Sequence, residues 1–303
     1  MICLSPGAYA LNLVQAVNTG LPIITSPIEI QGNGAALIRD AAAPQFRVFQ
    51  VAIGGQLILD SLSITGGLLT GADGGAIFND GGTLVVVSSL LTGNSARSGG
   101  AVYNINGAVS IVDTDILSNS APTASGGGIL NIGLNSVLIV SDSQINDNSA
   151  TSGGGIYNSN GFVSVTNSVV SGNSATSAAG LFNSNFGVIE MTSSVMAGNT
   201  SVVFGGAVAA EGAAITINNS CITNNVSPLG SGIVNLNTDP GTPPINAELD
   251  WWGAPDGPGG AGGGSGDAIS GNINYIPFLT EPLPFCPPTE VALMTLARAL
   301  LGF

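Results

Sequence analysis

One short phrase recurs along this chain and limits what it can fold into. GGAIFND starts at Gly74, GGAVYNI at Gly99, GGGILNI at Gly126, GGGIYNS at Gly153, AAGLFNS at Ala178, GGAVAAE at Gly205 and GSGIVNL at Gly230. The Asn closing each phrase falls at Asn79, Asn104, Asn131, Asn158 and Asn183, is replaced by Ala210, and returns at Asn235, in steps of 25, 27, 27, 25, 27 and 25. A second series, Asn94, Asn119, Asn148, Asn173, Asn199 and Asn225, steps by 25, 29, 25, 26 and 26. Two independent markers with one period of 20 to 50 residues are the signature of a repeat architecture.

Between the markers the local period is two. Leu84, Val109, Leu138, Val163, Ile189 and Ile215 share one register, and Val86, Ile111, Val140, Val165, Met191 and Ile217 the register two residues on. Alternation of this kind predicts a strand. Five residues further lies another apolar column, Leu91, Ile116, Ile145, Val170, Met196 and Ile222, preceded by Ser89, Thr114, Ser143, Ser168, Ser194 and Ser220. Each repeat therefore holds at least two short strands and a Gly-bounded third, with no helical pattern between them. One such unit cannot bury its own apolar side, so the repeats must stack. The glycines permit tight corners, and the Asn columns predict side-chain amide ladders running from turn to turn.

The composition agrees with a stack of short strands. The chain of 303 residues is 44% hydrophobic but only 5% aromatic and 7% charged, with 45 Gly. Its core is therefore built from small β-branched and aliphatic residues. Eighteen acidic residues stand against four Arg, with no Lys and no His, for a net charge of -14. A nucleic-acid backbone is repelled by that charge. No histidine is present to activate a Ser or Cys nucleophile, and no lysine to form a Schiff base. No apolar run reaches the ~18 to 20 residues of a membrane-spanning helix. The opening MICLSPGAYALNLVQAV lacks the basic leader of a signal peptide.

The phrases GGAIFN, GGAVYN and GGGIYN, with GNS at Gly93 and Gly172, resemble the repeat of the polymorphic outer membrane protein type, over roughly residues 28 to 245. That resemblance implies a large secreted or bacterial cell-surface protein with a pectate-lyase-like, right-handed parallel β-helix. DWWGAPDGPGG, from Asp250, is similar to a Trp-Trp-Gly phrase that closes such helices. Right-handedness follows from the resemblance and from the crossover rule for parallel strands. The expectation is thus an all-β chain, a single-stranded right-handed parallel β-helix of about nine turns over residues 1–249. A Gly/Pro-rich closing segment with a Trp251 and Trp252 cap follows over 250–288, then a short apolar C-terminal helix over 289–303.

Function is less constrained. Right-handed β-helices host polysaccharide lyases and hydrolases, which need a cation and a base or converging carboxylates. Arg39, Arg47, Arg97 and Arg298 are scattered with respect to the acidic residues. Asp113 and Asp142 share a register on adjacent turns, with Asp115 two residues along. They are the candidate metal ligands, and Ca²⁺ is the cation such an oxygen set would take. The competing expectation is a solvated acidic face with no catalytic residue and no cofactor. Asp250, Asp256 and Asp267 read as turn residues, and Cys3, Cys221 and Cys286 as three unbridged thiols. Phe78, Tyr103, Tyr157 and Phe182 form a column alternating with Ile77, Val102, Ile156 and Leu181, so one of the two sets faces outward. The expectation for function is a secreted or surface, non-catalytic structural or adhesive protein whose partner is another copy, a cell surface or a glycan. A carbohydrate-active β-helix is the alternative.

Overall fold

Alternating side chains make each repeat two-sided, and the computed structural model, which describes residues 1–237 and 244–287, shows how the inner sides meet. The chain between Ile77 and Ala96 represents the rest. It runs through strands Ile77–Asp80, Thr83–Val87, Leu90–Thr92 and Ser95–Ala96. Each pairs in parallel with its equivalent one period on: Ile77 with Val102, Leu84 with Val109, Leu91 with Ile116, Ser95 with Ser120. Val109, Leu138 and Val163 lie directly over one another in consecutive coils. The three aliphatic columns that begin at Leu84, Val86 and Leu91 point inward into one continuous core. The protein is an all-β right-handed parallel solenoid of about ten turns. At the ~4.8 Å between paired strands it is a rod roughly 45 to 50 Å long.

The stack continues past residue 249. Residues 245–274 make one more coil, with Ile233 paired to Ile269 and Ile245 to Ile273. The Gly-rich segment after 249 therefore continues the stack. The expected C-terminal helix over 289–303 lies outside the described residues, among which no helix occurs.

Four sharp corners per coil let such short strands close. Each carries a residue with φ in the left-handed region: in one coil Gly74 (71°), Gly81 (71°), Ser88 (46°) and Gly93 (62°). Asn, Asp and Ser tolerate this geometry better than other side-chain-bearing residues, and Gly tolerates it best. This explains the first glycine of each repeated phrase. The second serves a different purpose, since a Cβ on Gly100 would strike the carbonyl of Gly127, and one on Gly127 that of Gly154. The coils touch backbone to backbone at this corner.

Phe186 violates the corner rule. Its φ is 64° and its ring is 83% exposed, so it endures the backbone strain without a compensating contact. Left-handed geometry costs a side-chain-bearing residue about 1 to 2 kcal/mol, and Gly returns about 0.5 to 1 kcal/mol of that as lost unfolded-state entropy. Phe186→Gly is expected to raise the denaturation midpoint, by an amount corresponding to about 0.5 to 1 kcal/mol.

The cysteines also differ from expectation. Cys221 and Cys286 form a disulfide with a Cα–Cα distance of 5.6 Å, and Cys3 is free and exposed. After Pro277 the chain folds back along the outside of the rod. Leu279, Leu283 and Cys286 pack on the outward column Val169, Val195, Cys221 and Trp251, which brings Cys286 beside Cys221.

Candidate functional site

Three polar ladders run parallel to the axis inside the wall of the solenoid. In the first, the Nδ2 of Asn79, Asn104, Asn131 and Asn158 each donates to the Oδ1 of the next Asn at 2.7 to 2.8 Å, ending on Asn183. All five are fully buried. Asn79, Asn104 and Asn158 also donate to the carbonyls of Gly82, Gly107 and Gly161, fastening the corner. Val51 stands below Asn79, whose Oδ1 has no partner. Ala210 interrupts the column above, so Asn183 donates to Gly187 and Ala214 carbonyls instead. Asn235 stands apart, bonded to the carbonyl of Asn272.

The second ladder is continuous. Each Oδ1 from Asn119 to Asn225 accepts both the backbone N–H and the Nδ2 of the Asn one coil earlier, at 2.9 to 3.1 Å. The column Asn94, Asn119, Asn148, Asn173, Asn199 and Asn225 is buried throughout. Sequons beginning at Asn199 and Asn225 are consequently spent within the wall.

The third ladder was not anticipated as one. Backbone N–H groups of Ser89, Thr114, Ser143, Ser168 and Ser194 donate to the hydroxyl of the next member, through Ser220. The column was visible in the sequence, but its hydrogen-bonding pattern was not.

Both long ladders end on a carboxylate, which overturns the reading of Asp250 and Asp267 as turn residues. Ser220 N–H donates to Asp250 Oδ1 at 2.8 Å, and Asn225 donates to Asp267 Oδ2 through N at 3.1 Å and Nδ2 at 2.7 Å. Asp250 is fully buried and its Oδ2 has no partner. Desolvation pushes its carboxyl up to about 8, against the single backbone bond from Ser220. Desolvation likewise raises Asp267 to about 6, with the Asn225 bonds opposing. Asp256 is the turn residue it was expected to be: exposed, bonded by the Ser265 hydroxyl and N–H, and held below the usual carboxylate range by those bonds.

Asp113, Asp115 and Asp142 do share a surface. They line a groove of about 510 Å³ with Ser61, Ser88 and Gln144, along the corner after the second strand. Asp113 (φ 47°) and Asp142 (φ 52°) occupy the left-handed corner position, which is what selects their residue type. Ser88 Oγ donates to Asp113 Oδ2 at 2.8 Å. Among the described residues no three carboxylate, thiol or imidazole groups converge closely enough to hold a metal ion. The three aspartates are neighbours in one groove but do not form a chelating set.

The remaining candidates are occupied structurally. Trp252 is buried in the core, while Trp251 lies on the outside against Cys221, so the pair offers no sugar-stacking platform. The column Phe78, Tyr103, Tyr157 and Phe182 is the outward one, packed edge to face in pairs at 5.3 and 5.2 Å. Arg39 donates to the carbonyls of Gly66, Asp40, Ala43 and Pro44. Arg47 donates to the Asp73 carbonyl and lies over the Phe78 ring, and its burial lowers it to about 10. Arg97 pairs with the Asp73 carboxylate at 2.6 Å.

The site and fold together define a parallel β-solenoid repeat protein with laddered corners. Compared with family models, curated proteins and solved structures, the chain matches none.

Proposed function

We propose that this protein is a non-catalytic structural rod, secreted or displayed at a bacterial cell surface, where it serves as a spacer or adhesive element. The observation that carries this reading is the direction of its polar chemistry. Amides, hydroxyls and the two most perturbed carboxylates are bonded along the axis from coil to coil, Arg39 and Arg47 are bonded within the wall, and Arg97 is paired with Asp73 on its surface. That arrangement serves rigidity rather than a bound substrate. The Cys221–Cys286 bridge supports an oxidising compartment, and the resemblance of the repeated phrase to surface-protein repeats points the same way. Among the described residues no helix is long and apolar enough to cross a membrane.

Incubation of the purified protein with polyuronates and neutral glycans is expected to release no product, and turnover of any of them would defeat the structural reading. Thiol titration tests the compartment. One thiol, Cys3, is expected to react in native protein, and two more only after reduction; three reactive thiols in protein isolated from its source would argue against secretion.

The groove over Asp113, Asp115 and Asp142 favours one second reading, a carbohydrate-active rod. The double variant Asp113→Ala, Asp142→Ala separates the two. A loss of glycan or Ca²⁺ binding supports this second reading, and unchanged binding removes its site.

A further inference from the structure

One column on the outside of the rod changes character along its length. It lies just past the corner after the second strand and stays in register from Ser63 through Asp115 and Gln144 to Trp251. Its first half, from Ser63 to Gln144, is polar apart from Leu90 and floors the open groove beside Asp113 and Asp142. Its second half, Val169, Val195, Cys221 and Trp251, is apolar, and left bare it would be a hydrophobic patch on an acidic rod. Val195, Cys221 and Trp251 are nevertheless buried, because the chain after Pro277 lies on them through Leu279, Leu283 and Cys286. The two halves are successive stretches of one groove, open over the acidic coils and covered over the apolar ones.

The cover, residues 277–287, is fastened chiefly at one point. Pro277, Pro282, Pro284 and Pro287 carry no N–H, so this strap cannot join the sheet as a further strand. Near its start Pro277 O accepts from Leu249 N–H at 2.6 Å, and Leu279 N–H donates to Asp250 O at 3.0 Å. Past Leu279 the strap makes no hydrogen bond to the wall among the described residues. None of its residues is buried, and a gap of about 220 Å³ lies between Phe285 and Asn167, Val169 and Val195. What holds its far end is the covalent bond from Cys286 to Cys221. Cys221 lies beneath the strap and is fully buried, whereas Cys286 is half-buried, so a thiolate from solvent reaches the Cys286 sulfur first.

We propose that the strap is a redox-released cover: a small dithiol that reduces Cys221–Cys286 frees residues 280–287 from the wall and opens the groove from Gln144 on to Trp251, while the coils stay stacked. The dithiol's thiolate attacks the Cys286 sulfur, and Cys221 leaves as a thiolate that takes up a proton. The second thiol then resolves the mixed disulfide, releasing Cys286 as a thiol and the reagent as its cyclic disulfide. The coils beneath do not depend on the bridge. Trp251 N–H donates to Ser220 O at 2.9 Å and Ile222 N–H to Trp251 O at 2.7 Å, and both long ladders continue into the last coil. The release follows in the same way whether the rod is structural or acts on glycans.

The test uses the full chain, folded with its bridge formed, treated with dithiothreitol and desalted without oxygen. Iodoacetamide should then alkylate Cys221 and Cys286 as fast as the exposed Cys3. Tryptophan emission should shift to the red, because Trp251 gains water while Trp252 stays in the core, and the far-UV β signal should be retained. Cys286→Ser should show the shifted emission without any reductant. A Cys221 that stays slow beside Cys3, with emission unmoved, would mean that packing holds the strap. Loss of the far-UV signal on reduction would mean that the bridge holds the coils. Either result overturns the proposal, and if Cys286→Ser fails to fold, reduction of the prefolded unmodified chain decides alone.

Discussion

Asn158→Leu should lose about 1 to 3 kcal/mol of stability, although the substitution keeps the number and branching of side-chain heavy atoms and adds apolar surface to a dry interior. Asn158 accepts from Asn131 Nδ2 and donates to Asn183 Oδ1 and Gly161 O, each at 2.8 Å. Leucine leaves Asn183 Oδ1 without a donor in a fully buried corner, while Gly161 O keeps the Val188 N–H. One orphaned buried acceptor costs about 1 to 3 kcal/mol. The two methyl groups of leucine are also bulkier than the amide they replace, where Gly161 is held close to it. In a solenoid the loss falls on the interfaces with the coils on either side, and stability there is a sum of neighbouring terms. Chemical denaturation checks the prediction. Asn160→Gly is the control, because Asn160 is a left-handed corner residue whose amide makes one long bond to Ser159, and its replacement should change stability by less than about 0.5 kcal/mol. If the two variants were equal, the ladder would contribute nothing to stability.

The contrast between those two asparagines marks what the sequence makes legible. A residue type repeated at the coil period must stack on itself, so Asn158 was assignable to a ladder from spacing alone, as were the interior columns through Val109, Leu138 and Val163. Spacing says nothing about conformation, and Asp113 and Asp142, which share a register equally well, looked like a binding pair until their φ angles placed them at a corner that favours short polar side chains. The period also fails where loops interrupt it. Asp250 follows Ser220 by 30 residues and Asp267 follows Asn225 by 42, against ladder steps of 25 to 29, so neither aspartate could be aligned with the column it completes. The Cys221–Cys286 bridge spans 65 residues and forms because the chain after Pro277 reverses along the wall. No periodic signal encodes that reversal.

The final coil should lose stability as pH rises from about 4 to about 8. Asp250 and Asp267 are acids raised by burial to about 8 and about 6 in the folded state. Unfolded, each returns to about 3.9. Between those values the folded form holds a proton that the unfolded form has released, so unfolding is favoured by alkali. The stabilisation is complete below about pH 4 and is lost through pH 6 for Asp267 and through pH 8 for Asp250. Each group contributes up to about 1.4 kcal/mol per pH unit across its window, which for Asp250 is on the order of 5 kcal/mol over the whole range. Asp250→Asn and Asp267→Asn keep an acceptor oxygen for Ser220 and Asn225 while removing the charge, so together they should flatten the dependence and make the end of the rod more stable at pH 8. Asp256→Asn should leave it intact, because Asp256 is exposed and its carboxyl is lowered, giving a weak trend of the opposite sign. The chain's two tryptophans, Trp251 and Trp252, both sit in this coil beside Asp250. Their fluorescence therefore reports local opening of the end separately from melting of the rod, and a pH-independent emission midpoint in the unmodified protein would mean that the two carboxyls are charged in the fold.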